Sequence, residues 1–414
     1  NPKIFNPWWG ETLTMEIGVI GKPNVGKSTF FNASTLAGAS VGSYPFTTVD
    51  ANKAMGAVRV PCVCRELDVT CKPRNSKCIS RNRFVPVEMI DVAGLVPKAH
   101  EGRGLGNKFL DDLRRASVLI HVVDASGGTD EGGNVVKPGA HDPVGDIRVL
   151  EDEIEQWFFN IFKRSWDKVS KKVQFQGTDF AKYFEEMYVG LGFKEKDIRE
   201  AINVSGVNEE KPDSWNDGEL FGFTQALRKA SKPMIIAANK SDVDVAEENV
   251  ERLRGELPDY RVIPVSAMAE YVLRKLAEKG AVKYLPGDES FETVKPEEIS
   301  DKEKAGLDII EREVFGHFGN TGVQQCINSA IFDVLGKVVV YPVEDEHHYA
   351  DKEGNVLPDA YLMDSGATPR DLASKIHTEI GDSFLGALDA KTHRKIKSDK
   401  PLEGGDVIKI LIHH

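Results

Sequence analysis

The sequence predicts an α/β chain: a doubly wound sheet with crossover helices, a helical subdomain inserted into it, and a small sheet-bearing tail. Three observations predict this. Apolar, strand-like runs alternate with helical patterns through the first two thirds of the chain. Well over a hundred residues separate Asp91 from Asn239, about twice what the strand and helices between two such positions require. Beyond residue 330, short strand patterns flank one helix with strong start signals.

The first element is "MEIGVIG", a buried-strand pattern, and "KSTFFNASTLA" after it reads as a helix. Between them Gly21, Gly26, Lys27 and Ser28 fit G-x-x-x-x-G-K-[ST], the phosphate loop (P-loop) of nucleoside triphosphatases. Backbone N–H groups wrap the phosphates in such a loop, so a side chain at either glycine would block the approach. Lys27 is expected to neutralise the β- and γ-phosphates, and Ser28 to ligate Mg²⁺. Asn24, Val25 and Thr29 complete the expected cradle, with the helix N-terminus facing the phosphates.

The next strands supply the rest of a nucleotide site. "VPVEMIDVAG" ends at Asp91, placed to hold the Mg²⁺ water shell, and Gly94 offers its N–H to the γ-phosphate. "VLIHVVDAS" is a further buried strand. "PMIIAANKSD" ends in Asn239, Lys240 and Asp242, and "RVIPVSA" in Ser266 and Ala267. N-K-x-D selects guanine: the Asp242 carboxylate accepts from N1–H and N2–H₂, a donor pair that adenine lacks. Lys240 is expected over the base plane, and the Ala267 N–H on guanine O6. A parallel sheet with ligands at its carboxyl edge is the predicted arrangement.

"GKPNVGKSTFFN", "YPFTTVDAN", "DVAGLVPKAHEGRGLGNKFLDDLRRASVLIHVVD", "NKSD" and "SAM" together resemble a translation-factor-class GTPase of the Obg family, YchF-like branch. The resemblance runs from Met15 to His414. It implies two switch segments, one at "YPFTT", where Thr48 (or Thr47) ligates Mg²⁺ while the γ-phosphate is present. The other is the glycine-spaced "HEGRGLGNKF", with Gly102, Gly104 and Gly106. YchF-like proteins often carry Glu as the last residue of N-K-x-D and then favour ATP; Asp242 stands here, so GTP is expected and ATP is the alternative. Leu95 follows Gly94 where many GTPases use Gln to orient water, which implies slow intrinsic hydrolysis and a switch role. His100 and a potassium ion at Asn24, as in potassium-activated GTPases, are the candidates to replace the glutamine.

The expected division is an N-terminal extension (1–14), a GTPase first part (15–126), an inserted helical subdomain (127–225), a GTPase second part with linking helices (226–329) and the tail (330–414). The insertion opens with the turn-rich "GGTDEGGNVVKPGAHDPVGD". Helical spacing follows at Ile147, Leu150, Ile154, Trp157, Phe158, Ile161 and Phe162, resembling the helical arm of YchF-like proteins. Its basic end, Lys163, Arg164, Lys168, Lys171 and Lys172 around Trp166, reads either as an RNA contact or as a solvated face with the Trp in the core; the second is favoured. In the tail, Thr368, Pro369 and Asp371 start a helix whose Leu372, Ile376 and Ile380 share one face. Strands around one helix suggest a β-grasp fold resembling the TGS domain, which implies tRNA or ribosome work. The basic cluster Lys391, Arg394, Lys395, Lys397 and Lys400 suits phosphate contacts or a solvated hairpin equally.

The net charge of −12 excludes nucleic-acid coating by bulk charge. No apolar run reaches the length of a membrane span, and five cysteines do not make a disulfide scaffold, so a cytoplasmic monomer is expected. Cys62, Cys64, Cys71 and Cys78 fall close together, but C-x-C-x₆-C-x₆-C is not a paired zinc knuckle. Cys62 and Cys64 fit one face of a strand, so the spacing weighs against Zn²⁺.

Overall fold

The computed structural model describes residues 16–39, 52–92 and 106–413. The central sheet contains seven strands: β1 Glu16–Ile20, β2 Lys53–Pro61, β3 Lys77–Ile79, β4 Asn82–Asp91, β5 Val118–Asp124, β6 Met234–Asn239 and β7 Arg261–Val265. Their order is β2-β4-β1-β5-β6-β7, with β3 also paired to β4. The strands β4, β1, β5, β6 and β7 run parallel. Helices α1 Lys27–Ala39 and α2 Gly106–Arg115 belong to the first crossovers. β1, β5 and β6 are buried along their whole length, which is why they read as unbroken apolar runs.

The sheet is mixed rather than all-parallel. β2 and β3 both pair antiparallel with β4. β2 is an edge strand with only part of its length buried, the environment an antiparallel strand tolerates. β3 and β4 form a two-residue hairpin through Ser80 and Arg81, both at positive φ, the turn that matches strand twist.

The insertion is an arm of helices. α3, Pro143–Gln176, has Asp142 as N-cap and Pro143 in its first turn, and stops at Gly177. α4 Phe180–Met187, α5 Glu195–Ser205 and α6 Asp217–Ser231 pack beside it. Phe158, Phe162, Phe180, Phe184, Phe193 and Phe223 fill the arm's core. Trp166 belongs to this aromatic cluster, 5.0 Å from Trp215. The basic end is largely used within the arm: Lys163 pairs with Asp217, Lys171 with Asp167, and Lys172 lies over Tyr183.

After β6 come α7 Ala246–Glu256, β7 and α8 Ala267–Glu278, then a short hairpin of β8 Val282–Lys283 and β9 Glu292–Thr293. α9 Asp301–Ile309 continues through a π-helical turn into α10 Gly316–Phe318, and α11 Val323–Asn328 through another to Val334. Ala330, expected to open the tail, is buried in that last turn against the central sheet. The tail sheet begins at β10 Lys337–Val343 and adds β11 Tyr361–Asp364, β12 Phe384–Asp389, β13 Arg394–Ile396 and β14 Val407–Ile412, in the order β11-β10-β14-β12-β13. Its helix is broken: α12 Pro369–Ile376 ends at His377, which has an extended backbone and caps α13 Thr378–Asp382. Leu372 is therefore fully buried, while Ile376 and Ile380 are only half-buried against the same core.

Candidate functional site

The carboxyl ends of β1, β4, β5, β6 and β7 lie on one edge of the sheet, and the sequence-predicted residues within the described segments gather there. Gly21 to Gly26 join β1 to α1, and Lys27 begins the helix. Lys27 Nζ pairs with Asp91 at the end of β4, so the phosphate-loop lysine and the expected Mg²⁺ carboxylate share one place. Ser28, exposed, stands beside them in the first turn. Ser28 and Asp91 thus fit a hard divalent cation with oxygen donors. Thr48, Gly94, Leu95 and His100 lie outside the described residues.

Asn239 ties three segments together. Its Nδ2 donates to the carbonyl of Val25 at 2.8 Å, and its Oδ1 accepts from the N–H of Ala267 at 3.0 Å. Gly26 is required at this junction: a Cβ there would stand 2.2 Å from Asn239 Nδ2, on a backbone with φ +94°. The expectation that Ala267 offers its N–H to the base is thus modified, because Asn239 already takes that hydrogen. Ser266 caps α8, its hydroxyl accepting from Ala269 N–H. Thr29 is half-buried in the first turn of α1. Asp242 is half-buried and, among the described residues, has no hydrogen-bond or ion-pair partner.

Lys240 also differs from expectation. Its ammonium reaches inward to Asp124 at the end of β5, 2.7 Å away, rather than standing free above a base plane. Asp124 is buried and also accepts from Ser126 N–H and Oγ and from Thr129 Oγ1. Burial pushes its carboxyl up, but the bonds from Lys240, Ser126 and Thr129 outweigh this and hold it below its ordinary value.

The turn-rich segment that opens the insertion lies against the phosphate loop. Asn24 Nδ2 donates to Gly133 O at 2.8 Å, and Lys22 Nζ donates to Thr129 O at 2.9 Å. Gly133 (φ +81°) approaches so closely that a Cβ would meet Pro23 at 2.9 Å. Lys22 also pairs with Asp146 of α3 at 2.6 Å, and His141 bonds the other oxygen of Asp146.

The comparisons with known proteins agree with this geometry. Residues 16–142 match a family described as "50S ribosome-binding GTPase", residues 237–345 an "Obg-like GTPase YGR210-like, G4 motif-containing domain", and residues 349–412 the TGS domain. The chain is 49% identical over 395 residues to the GTP-binding protein MJ1332 of Methanocaldococcus jannaschii, covering 95% of this chain and 98% of that one. It belongs to the Obg-like, YchF-type GTP-binding proteins. A solved GTP-binding protein of Pyrococcus horikoshii OT3 is similar across 96% of this chain and all of its own, at 39% identity and a TM-score of 0.77. Human Obg-like ATPase 1 is 30% identical over 318 residues, 73% of this chain and 72% of its own.

The chain is therefore a GTP-binding GTPase with a helical insertion and a TGS domain, and no helix among the described residues is long and apolar enough to cross a membrane. Sequence reasoning missed Asp124, Thr129, Lys22 and Gly133. One signal was present: Asp124 is a carboxylate at the end of an otherwise apolar strand, across from Asn239.

The cysteines depart most from expectation. Cys62 and Cys64 do not share a strand face; β2 stops at Pro61 and both lie in the turn that follows. The sulfurs of Cys62, Cys64, Cys71 and Cys78 all lie within 4.8 Å of one another.

Proposed function

We propose that this GTPase is a Mg²⁺-dependent switch with slow intrinsic hydrolysis that acts on the ribosome or a ribosome-bound RNA. The observation that carries the nucleotide half is Asn239, which bonds the phosphate loop and the Ser266–Ala267 turn at once. One side chain thereby couples the phosphate end of the site to the base end. In this reading Lys27 and the N–H groups of Gly21 to Thr29 hold the phosphates, and Ser28, Asp91 and Thr48 hold Mg²⁺. Gly94 meets the γ-phosphate, and Asp242 reads guanine with both oxygens while the Lys240 stem covers the base. Mg²⁺ when bound offsets the charge that develops on the transferring phosphoryl group.

The Obg-like ATPase relatives favour a second reading, an ATPase of the same fold. Asp242 argues for guanine, and competition of GTP and ATP for the purified protein decides between them. The ribosomal half rests on the printed description of the family matched by residues 16–142 and on the TGS domain. It is tested by sedimentation with ribosomes in the GTP-analogue, GDP and nucleotide-free states. Binding that changes with nucleotide is expected; equal binding in all three, or none, overturns the switch reading.

A further inference from the structure

We infer that Cys62, Cys64, Cys71 and Cys78 form a tetrahedral thiolate site for one zinc ion, and that this ion holds the segment on which the TGS domain docks. Zinc bound to four thiolates at ~2.3 Å separates the sulfurs by about 3.8 Å. Here Cys64 and Cys78 are 3.8 Å apart and Cys62 and Cys71 4.0 Å, with all four within 4.8 Å. A disulfide would need about 2.0 Å, and four cysteines chosen for packing alone would have no reason to converge on one point from separate turns. Cys62 and Cys64 come from the turn after β2, Cys71 from the loop beyond, and Cys78 from β3.

The surroundings suit an anionic centre. Arg83 is fully buried next to Cys62, and its bonds run to Ser76 Oγ and Leu357 O while its Nε has no partner. Among the described residues its partners are these two oxygens and the Tyr341 ring, with no carboxylate paired to it. A buried guanidinium without an anion is as unfavourable as a buried ion pair that has lost one partner. Four thiolates around one divalent cation carry a net negative charge and supply that anion.

The position gives the site its role. Residues 72–77 are bracketed by two of the ligands, Cys71 and Cys78, and carry a row of hydrogen bonds to residues 356–360 of the TGS domain. Lys72 N–H donates to Val356 O, Arg74 N–H to Pro358 O, and Asn75 exchanges two hydrogen bonds with Ala360. Arg74 also pairs with Asp359. Residues 62–79 form turns and the short β3 but no helix, so the ion fixes both ends of the edge that the TGS domain reads.

The test uses the full, untagged chain purified with reductant and without added metal. Elemental analysis is expected to find about one zinc per chain, and Co²⁺ exchanged into the site to give the intense visible bands of tetrahedral thiolate coordination. Cys71→Ser and Cys78→Ser should each retain about tenfold less metal against a competing chelator, whereas Cys326→Ser, remote in α11, should retain it. Hydrogen exchange on chelator-treated wild type is expected to rise at 72–75 and 356–360 and to stay unchanged at 16–30. Folded wild type that stays metal-free after incubation with Zn²⁺ and reductant, and gives no Co²⁺ spectrum, overturns the site. Metal loss that leaves exchange at 72–75 and 356–360 unchanged overturns the docking role.

Discussion

Replacing Asp124 with Asn tests whether the base-side lysine is held from beneath by a residue that touches no nucleotide. The carboxylate is 1% exposed and accepts four hydrogen bonds, one of them from the Lys240 ammonium at 2.7 Å. Asn keeps the shape but loses the charge, and its amide nitrogen would meet donors from Lys240 or Thr129. Breaking a buried pair from one side costs about 3–5 kcal/mol. Lys240 retains some access to water, so about 2–3 kcal/mol of stability is the expected loss. A Lys240 stem no longer anchored should weaken GTP binding by about tenfold, ~1.4 kcal/mol. Asp124→Asn, Lys240→Ala and the double variant form a cycle, read by fluorescent-nucleotide titration and urea unfolding. If the pair acts as a unit, the double variant is no worse than either single one, a coupling of about 2 kcal/mol. Effects that add to within about 0.5 kcal/mol would refute the anchoring role.

Asp242→Asn should lower GTP affinity by about tenfold or more and raise affinity for xanthosine triphosphate, measured by competition. Unchanged GTP binding would mean that another residue reads the base. Burial, with Lys22 nearby, holds the His121 imidazole near pKa 3, far below its ordinary value. The unfolded chain then takes up the proton first, so this stabilisation is complete above pH 6.5 and is lost as pH falls towards 3. Between pH 6.5 and 5 wild type should lose about 2 kcal/mol more than His121→Leu in urea unfolding, and parallel losses would contradict this. If Asn24 helps hold a potassium ion, GTP hydrolysis is faster in K⁺ than in Na⁺ at equal ionic strength, and Asn24→Ala removes the difference. Because Asn24 Nδ2 bonds Gly133, only Oδ1 is left for the ion, and equal rates in both salts would leave Asn24 a purely architectural residue. Limited proteolysis should cut near Arg103 faster in the GDP state than with a GTP analogue, and equal rates would argue against a switch there.

The parts of this molecule that could be read from sequence are those where one residue type does one local job. A glycine that must clear Asn239, a lysine at a helix start and an apolar run buried on both faces each leave a mark at a fixed spacing. The same holds for the helix start at Thr368, whose cap and third-residue acid are local. What could not be read depends on distant segments meeting. Asp124 becomes part of the site only because β5 and β6 are in register, placing it across from Asn239. Gly133 looks like one more loop glycine until the insertion folds back on Pro23.

The cysteines show why spacing alone misleads. C-x-C-x₆-C-x₆-C has no local geometry of its own, and convergence follows from β2 ending at Pro61 and from β3 turning back along β4. The consequence reaches the site. β4 pairs at its start with the cysteine-bearing β3 and ends at Asp91, the carboxylate that faces Lys27. The same strand carries Arg83, whose guanidinium bonds Leu357 of the TGS domain. One strand thus has the Lys27–Asp91 pair of the proposed nucleotide site at one end and the TGS contact at the other. A shift of Asp91 on phosphate release would be transmitted along β4 only if the far end is fixed. Fixing that end is what four thiolates on one ion, beside Arg83, would do.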